Sequence, residues 1–240
     1  MPVLDGMPWL PEAVGSVRAQ GPEVERELII VDGGSTDGSQ EWLREHGGDA
    51  RLSFERDGGQ TDALIRGFAS ATGEILAWLN ADDAYEPDAF AVVAEAFASH
   101  AEAVAVSGGC KLVDRTGRVI GQISRIPDSS SQGLLGTNVN LAQPATFFRR
   151  SAYAAVGGLD ARLRFAMDVD LWLKLAATGP IVQVPETLAR FRVHPDAKTQ
   201  RAKRATLRED WSVRRRHGMP LLSRVSLRMV KQQYLPQRGR

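Results

Sequence analysis

The sequence predicts an α/β fold with a mixed, mostly parallel sheet flanked by helices, and two observations support this. Short apolar segments typical of buried strands alternate along the chain with segments of helical periodicity. Polar residues cluster directly after the strand-like segments. Because ligands bind beyond the carboxyl ends of parallel strands, we expect one crevice at these strand ends.

The first half of the chain contains the most regular alternation. Leu10, Val14 and Val17 have helical spacing, Ser35-Thr36-Asp37 can cap a helix, and Pro87 suits a first helical turn. The predicted strands are 27–31, 51–56, 74–79 and 104–107. The predicted helices are 11–20, 35–46, 60–71 and one that follows Pro87.

The second half is less regular, and we expect a hairpin, a loop, two helices and two strands in that order. The hairpin turns at Asp114-Arg115-Thr116-Gly117, and the loop is rich in Ser, Gly and Asn, which predicts mobility. The corresponding ranges are 111–123, 127–140, 149–156, 168–178, 182–184 and 188–193.

Charge divides the 240 residues into two unequal parts. The formal net charge is +1, yet residues 198–240 contain 13 Lys or Arg and only Glu209 and Asp210 as acids. The sequence therefore predicts an acidic catalytic domain at 1–197 and a basic, mostly helical tail at 198–240. The tail has three interpretations: a solvated helical face, contact with anionic lipid, or nucleic-acid binding, which no base-reading pattern supports.

Composition excludes several classes of protein. A single cysteine, Cys110, excludes a disulfide framework and a multi-cysteine metal site. No apolar run approaches the roughly 18 residues that span a bilayer, and no signal peptide is visible. We expect a cytoplasmic protein, or one at the inner face of the membrane.

Four polar groups are candidates for chemistry, and each has a structural alternative. Asp32 and Gly33 follow a strand, where a carboxylate can bind a base or ribose or simply cap the next helix. The run Asn80-Ala81-Asp82-Asp83 offers hard oxygen ligands for Mg²⁺ or Mn²⁺, or forms a charged turn. Asp168 and Asp170 begin a helix, as a general base or as caps, and His194 follows a strand, as a ligand or as a core residue.

Taken together, the motifs resemble the family 2 glycosyltransferases of the GT-A fold, a Rossmann-like fold that binds nucleotide-diphospho-sugars. The resemblance covers most of residues 5–199 and is specific because five pieces occur in order. The pieces are VDGGSTDGS (31–39), ATGEILAWLNADDAYEPDAF (71–90), QPATFFRRSAYAAVGGLD (143–160), FAMDVDLWLKLA (165–176) and RFRVHPDAKT (190–199).

The resemblance implies metal-dependent, inverting transfer of a sugar from a UDP-, GDP- or dTDP-sugar to a sugar or lipid-linked saccharide, in cell-surface polysaccharide or glycan synthesis. It implies Asp168 as the catalytic base and Mg²⁺ or Mn²⁺ as the cofactor. The implied donor-binding residues are Asp32, Gly33, Asn80 and Asp82. The implied metal ligands are Asp82 and His194, and those supporting the metal or lining the acceptor side are Asp83, Gln143 and Asp170.

Three departures from the family pattern qualify this assignment. Met1 to Gly6 begins where the first buried strand should end, so we expect that strand to be absent. Leu64-Ile65 replaces a pair that is often polar, and Met167 replaces an acid that often precedes the base. The alternatives are a catalytically impaired nucleotide-sugar-binding protein and a sugar-phosphate nucleotidyltransferase, whose early Gly-rich loop with Arg and Lys is missing.

Overall fold

The computed structural model describes residues 1–123, 128–136, 141–223 and 225–227. Its strands are β1 (Pro2–Val3), β2 (Ile29–Asp32), β3 (Arg51–Ser53), β4 (Ile75–Leu76), β5 (Ala84–Tyr85), β6 (Ala105–Val113), β7 (Val119–Ile123), β8 (Thr146–Arg149) and β9 (Ile181–Arg192). Its helices are α1 (Leu10–Arg18), α2 (Ser39–His46), α3 (Gln60–Ser70), α4 (Ala89–Ser99), α5 (Ser131–Gly136), α6 (Arg150–Ala155), α7 (Met167–Ala176), α8 (Lys198–Arg201) and α9 (Lys203–Arg216). A 3₁₀ turn covers Gln143–Ala145.

A parallel three-stranded sheet, in the order β1-β2-β3, forms the first part of the fold. The apolar core of β2 is buried, and Pro2 lies opposite Val31 in the register of β1 against β2. The backbone N–H of Val31 donates to the carbonyl of Met1 at 3.0 Å. The expectation that the first strand is absent is therefore corrected: residues 2–3 form a short parallel strand.

A second, six-stranded sheet has the order β4-β8-β6-β9-β5, with β7 paired to β6. Only β6 and β9 pair in parallel here, so the sheet is mixed as expected, with a larger antiparallel share than the alternation of elements indicates. The two strands predicted at 182–184 and 188–193 are one strand, β9. Register shifts near Gly109 let β6 follow β9 along its whole length.

A cavity of about 110 Å³ lies between the two sheets. Residues of β1, β2, β4 and α3 line it, including Met1, Leu28, Leu64 and Leu76. The lining is largely apolar because these elements turn their core faces toward it. The sheet hydrogen bonding is thus interrupted between β2 and β4 in the described residues.

An aromatic cluster beneath the second sheet supports the helix that carries Asp168. Trp78 stacks on Trp172 of α7 with ring centroids 5.6 Å apart, and Phe148 of β8 meets both rings edge-on. Burial of such rings contributes several kilocalories per mole in total and fixes helix orientation. The segment after β4 and the start of α7 are thereby held against one another.

The basic segment 198–240 is in contact with the rest of the fold through α9. Val213 belongs to the same buried apolar cluster as Trp172, and Arg214 is fully buried. Arg214 donates from Nε to Asp210 at 2.7 Å and from Nη1 to the carbonyl of Leu134 in α5 at 2.6 Å. A buried guanidinium is tolerated only with such partners, so α9 is anchored rather than loosely appended.

Two further expectations concern partly described regions. Within the predicted loop 127–140, α5 forms at residues 131–136, while 127 and 137–140 lie outside the described residues. No helix in the described ranges is both long and apolar enough to cross a bilayer.

Candidate functional site

Asp32 ends β2 and is fully buried in its own turn. Its carboxylate accepts hydrogen bonds from the backbone N–H of Gly34 and Ser35, from the Ser35 hydroxyl and from the Gln40 amide, at 2.6–3.0 Å. A Cβ on Gly33 would lie 2.7 Å from Asp57 Oδ2, so a larger residue there would require the Asp57 side chain to shift. Asp32 therefore shapes the turn after β2, which corresponds to its structural alternative.

Asn80 lies at the centre of an amide network beyond β4. Its Nδ2 donates to Gln143 Oε1 at 3.0 Å and to Asp83 Oδ2 at 3.1 Å, while its Oδ1 accepts from Gln60 Nε2 at 2.7 Å. Gln143 in turn donates to the carbonyl of Trp78 at 2.6 Å. The strand end, the 3₁₀ turn and the first residue of α3 are thus fixed together.

Asp83 is buried and faces the protein interior. Its Oδ1 accepts the backbone N–H of Arg192 at 3.0 Å. Burial and the adjacent Asp82 carboxylate raise the pKa of Asp83 well above its ordinary value, opposed by the hydrogen bond from Arg192. These contacts give Asp83 the role of joining the 80–83 turn to the end of β9.

Asp82 and His194 form the pair that the resemblance implies. His194 Nε2 lies 2.9 Å from Asp82 Oδ2, and the Trp9 ring covers the imidazole with centroids 4.5 Å apart. His194 is buried, and its Nδ1 has no hydrogen-bond partner among the described residues. Arg192 fixes the backbone beneath the pair by donating from Nε to the carbonyl of Asp82 at 3.0 Å.

The carboxylate and the imidazole of this pair are suitable ligands for a divalent cation that is also coordinated by phosphate oxygens. Mg²⁺ and ions like it are commonly held by one or two carboxylates together with substrate phosphates. In the described part of the chain no group of three or more His, Cys, Asp or Glu side chains could hold an ion alone. Asp82 and His194 supply one carboxylate and one imidazole, which leaves further positions for the ligand.

Asp168 lies in the first turn of α7 and is half-buried. Its Oδ1 accepts the backbone N–H of Val169 at 2.8 Å. The pKa of Asp168 is raised to about 6, chiefly by burial and also by nearby Asp210, against the opposing effects of the Val169 N–H and Arg214. A carboxylate with a pKa near neutrality is well suited to accept a proton from an alcohol.

Asp170 lies one step further along α7 in a buried ion cluster. His217 Nε2 is 2.9 Å from its Oδ1, and Lys174 Nζ is 2.7 Å from its Oδ2. Burial alone would raise the pKa of Asp170, but hydrogen bonds from His217 and Lys174 lower it overall. The structure thus places Asp170 between α7 and α9, apart from the amide network around Asn80.

Lys198 connects the two halves of the site. Its Nζ donates to Gln60 Oε1 at 3.0 Å and lies 5.4 Å from the centre of the Phe165 ring. Burial lowers the pKa of Lys198, while the charges of Glu209 and Asp168 act in the opposite direction. A cation therefore lies between the amide network after β4 and the helix that carries Asp168.

Sequence reasoning missed Gln60, Arg192 and Lys198 as parts of this arrangement. Gln60 and Lys198 are 138 positions apart, and the Arg192–Asp82 contact spans 110 positions. Arg192 stands two residues before His194 in a motif already singled out, and that was the one usable signal. In the sequence, these polar residues cannot be distinguished from ordinary surface residues. Their role becomes visible only from their contacts in the folded protein.

Comparisons with known proteins give the family. The profile of Glycosyl transferase family 2 matches residues 1–157. A glycosyltransferase of Mycobacterium tuberculosis is 34% identical over 191 residues, with 78% of this chain and 70% of the relative covered. One of Nostoc sp. is 31% identical over 198 residues, with 78% of this chain covered, and this chain spans 61% of that relative's length.

Solved structures agree on the fold. S. aureus TarS with UDP-GlcNAc has a TM-score of 0.69 at 15% identity, covering 97% of this chain and 68% of the other. The mannosyltransferase PcManGT from Pyrobaculum calidifontis, in complex with GDP-Man and Mn²⁺, has a TM-score of 0.66 at 20% identity, covering 98% and 68%. With its mixed sheet flanked by helices and this match of profile and relatives, the chain belongs to glycosyl transferase family 2 and has the GT-A fold.

Proposed function

We propose that the chain transfers a sugar from a nucleotide-diphosphate donor to an acceptor hydroxyl. The observation that carries the proposal is the carboxylate of Asp168, whose pKa is raised to about 6 and whose charge acts on Lys198, which is hydrogen-bonded to Gln60 and through it to Asn80. Two structural neighbours were solved in complex with donors of this kind, TarS with UDP-GlcNAc and PcManGT with GDP-Man. In this proposal Asp168 is the catalytic base on one side of the site, and the polar residues that follow β4 lie on the other side.

In the proposed reaction Asp168 accepts the proton of the acceptor hydroxyl as its oxygen attacks the anomeric carbon. A sugar hydroxyl is a weak nucleophile at neutral pH, so a positioned base is needed. One displacement from the face opposite the leaving diphosphate inverts the configuration. Asp168 then releases the proton to solvent, which balances the step without a covalent intermediate.

Asp82 and His194 would hold Mg²⁺ or Mn²⁺, which neutralises negative charge on the departing diphosphate. The side-chain amides of Asn80 and Gln143 lie at the edge of the Asp82–His194 pair and offer hydrogen bonds to ribose or acceptor hydroxyls. Asp32 and Gly33 shape the turn that would bind the nucleobase of the donor. The Asp32 carboxylate is already hydrogen-bonded within that turn. Synthesis of cell-surface polysaccharide or another glycan is the role we propose for the product, with a sugar or lipid-linked saccharide as acceptor.

The proposal is tested by screening UDP-, GDP- and dTDP-sugars for Mn²⁺-dependent donor turnover, with nucleoside-diphosphate release as the readout. Release with one donor class, lost on chelation, supports transfer chemistry. Binding of a donor by calorimetry without release, across several saccharide acceptors, instead supports a catalytically impaired nucleotide-sugar-binding protein. The two-residue β1 and the cavity beside it are the observations that favour this alternative.

A contact with anionic membrane is a separate proposal about the partner surface. Leu221, Leu222 and Leu227 are 58%, 86% and 56% exposed. They follow α9, whose last turn contains Arg214, Arg215 and Arg216. Arg214 is buried, but Arg215 and Arg216 are at least partly exposed. Exposed leucines close in sequence to such cations are typical of surfaces that bind lipid headgroups and acyl chains.

A further inference from the structure

The inference concerns Glu209, on α9, and the three residues that immediately precede α7. Glu209 Oε1 accepts the backbone N–H groups of Arg164, Phe165 and Ala166 at 2.9, 2.6 and 2.8 Å. One carboxylate oxygen thus binds three successive amides of the turn that leads into Asp168. Three consecutive N–H groups directed at one point form a concave anion site, which the positive end of the helix dipole strengthens.

The surrounding contacts make this geometry rigid rather than incidental. The carbonyl of Leu163, one residue earlier, accepts the Thr61 hydroxyl at 2.6 Å, which ties the same turn to α3. On the other side, the buried Arg214 and Val213 anchor α9 in the core, so the backbone that carries Glu209 is held in place. The turn is therefore fixed from both directions.

We propose that Glu209 is a positioning residue that sets the orientation of Asp168 through the 164–166 turn. The proposal rests on the proposed function, because it takes Asp168 to be the base. In the described residues Glu209 makes no hydrogen bond with Asp168 itself and acts only through the backbone. A base displaced by about 1 Å loses on the order of a hundredfold in rate, which is large compared with any effect on donor binding.

The test uses the full chain with Glu209→Ala and Glu209→Gln. Glu209→Ala removes the acceptor, and we expect kcat to fall about tenfold to a hundredfold while the affinity for nucleoside diphosphate stays within about twofold. Glu209→Gln keeps an amide oxygen at the same place, and we expect it to restore kcat to within about threefold of the unchanged chain.

A second readout does not depend on activity. Hydrogen exchange of the Arg164, Phe165 and Ala166 amides should speed up by about tenfold or more in Glu209→Ala, because each loses its acceptor. The matched control is Arg208→Gln, which changes an exposed side chain next to Glu209 on the same helix but leaves Glu209 in place. It should change neither kcat nor exchange at 164–166.

Each result has a definite meaning. Equal losses of kcat and donor affinity in Glu209→Ala, or unchanged exchange at the three amides, would overturn the positioning role. If Glu209→Ala does not fold, Glu209→Met carries the test, because it keeps the length of the side chain but offers the three amides no oxygen; unchanged exchange there together with unaltered turnover counts against the proposal. Failure of the proposed function is seen separately, as full turnover by Asp168→Asn.

Discussion

Asp82 Oδ2 lies 2.9 Å from His194 Nε2, across 112 positions of sequence. Asp82 lies just before β5 and His194 follows β9, and the antiparallel pairing of β5 with β9, with Ala84 opposite Arg190, brings the pair together. Arg192 hydrogen-bonds the backbone of Asp82, and the Trp9 ring packs against His194. Both residues are therefore positioned before a ligand binds. A preorganised pair costs little further ordering when a cation and a diphosphate bind.

We predict that Asp82→Asn and His194→Ala each weaken Mn²⁺-dependent binding of nucleoside diphosphate by about tenfold or more, since charge and ligand number set such affinities. Calorimetry with and without Mn²⁺ measures this. Binding without metal should change little in either variant. Equal weakening in the presence and absence of Mn²⁺ would mean that the pair does not hold the ion.

We predict that Asp168→Asn lowers turnover by about a hundredfold or more, because general-base catalysis contributes about 10²–10⁴ in rate. Donor affinity should stay within about twofold, since the amide keeps the shape of the side chain. Asp49→Asn is the control, because Asp49 is an exposed carboxylate whose one ion pair, at 3.7 Å, lies on the surface. Undiminished turnover in Asp168→Asn would exclude this residue as the base.

We predict that turnover rises with pH through about 6 and then levels off. The pKa of Asp168 is raised from 3.8 to about 6, and the base is active only when ionised. For folding, a raised carboxyl pKa favours the protonated form, so stability falls as pH rises from about 4 to about 6. Asp168→Asn should therefore be more stable than the unchanged chain above pH 6, by about 1 kcal/mol in urea unfolding. Equal stability of the two at pH 7.5 would contradict the burial of this carboxylate.

We predict that Leu221→Gln with Leu222→Gln weakens partitioning onto vesicles containing anionic lipid by about tenfold, because each side chain contributes buried apolar area to the interface. The matched control is Val119→Gln with Ile120→Gln, an apolar pair of similar exposure on β7. Point variants are needed because deletion from residue 200 would remove buried Val213 and Arg214. Unchanged partitioning at low salt would exclude membrane contact at this surface.

The parts of the fold that could be predicted are those with a local pattern. Apolar spacing located α1 to α4 and α7 to within a few residues of the observed helices. β5 and β8 were missed, because strands of two and four residues carry no periodicity of their own. β9 was divided into two by Pro185 and Glu186, which a register shift between β6 and β9 accommodates inside one strand.

The candidate site shows the same division. Asp82, His194 and Asp168 were found through motif order, since each follows a strand or begins a helix. Gln60, Lys198 and Glu209 were not, because their significance comes from partners far along the chain. One signal was present in the sequence: Glu209 and Asp210 are the two acids among the 13 Lys and Arg of residues 198–240. In the structure both accept hydrogen bonds within the fold.

The anchoring of α9 also sets an order of events during translation. Ala166 leaves the ribosome before Glu209, and 43 positions separate them. At about 5–20 residues per second, the turn before Asp168 waits about 2–9 s for its acceptor. The nascent chain can assemble both sheets and the amide network before the turn that precedes Asp168 is locked in place, so the proposed base takes its final setting only when α9 has been synthesised.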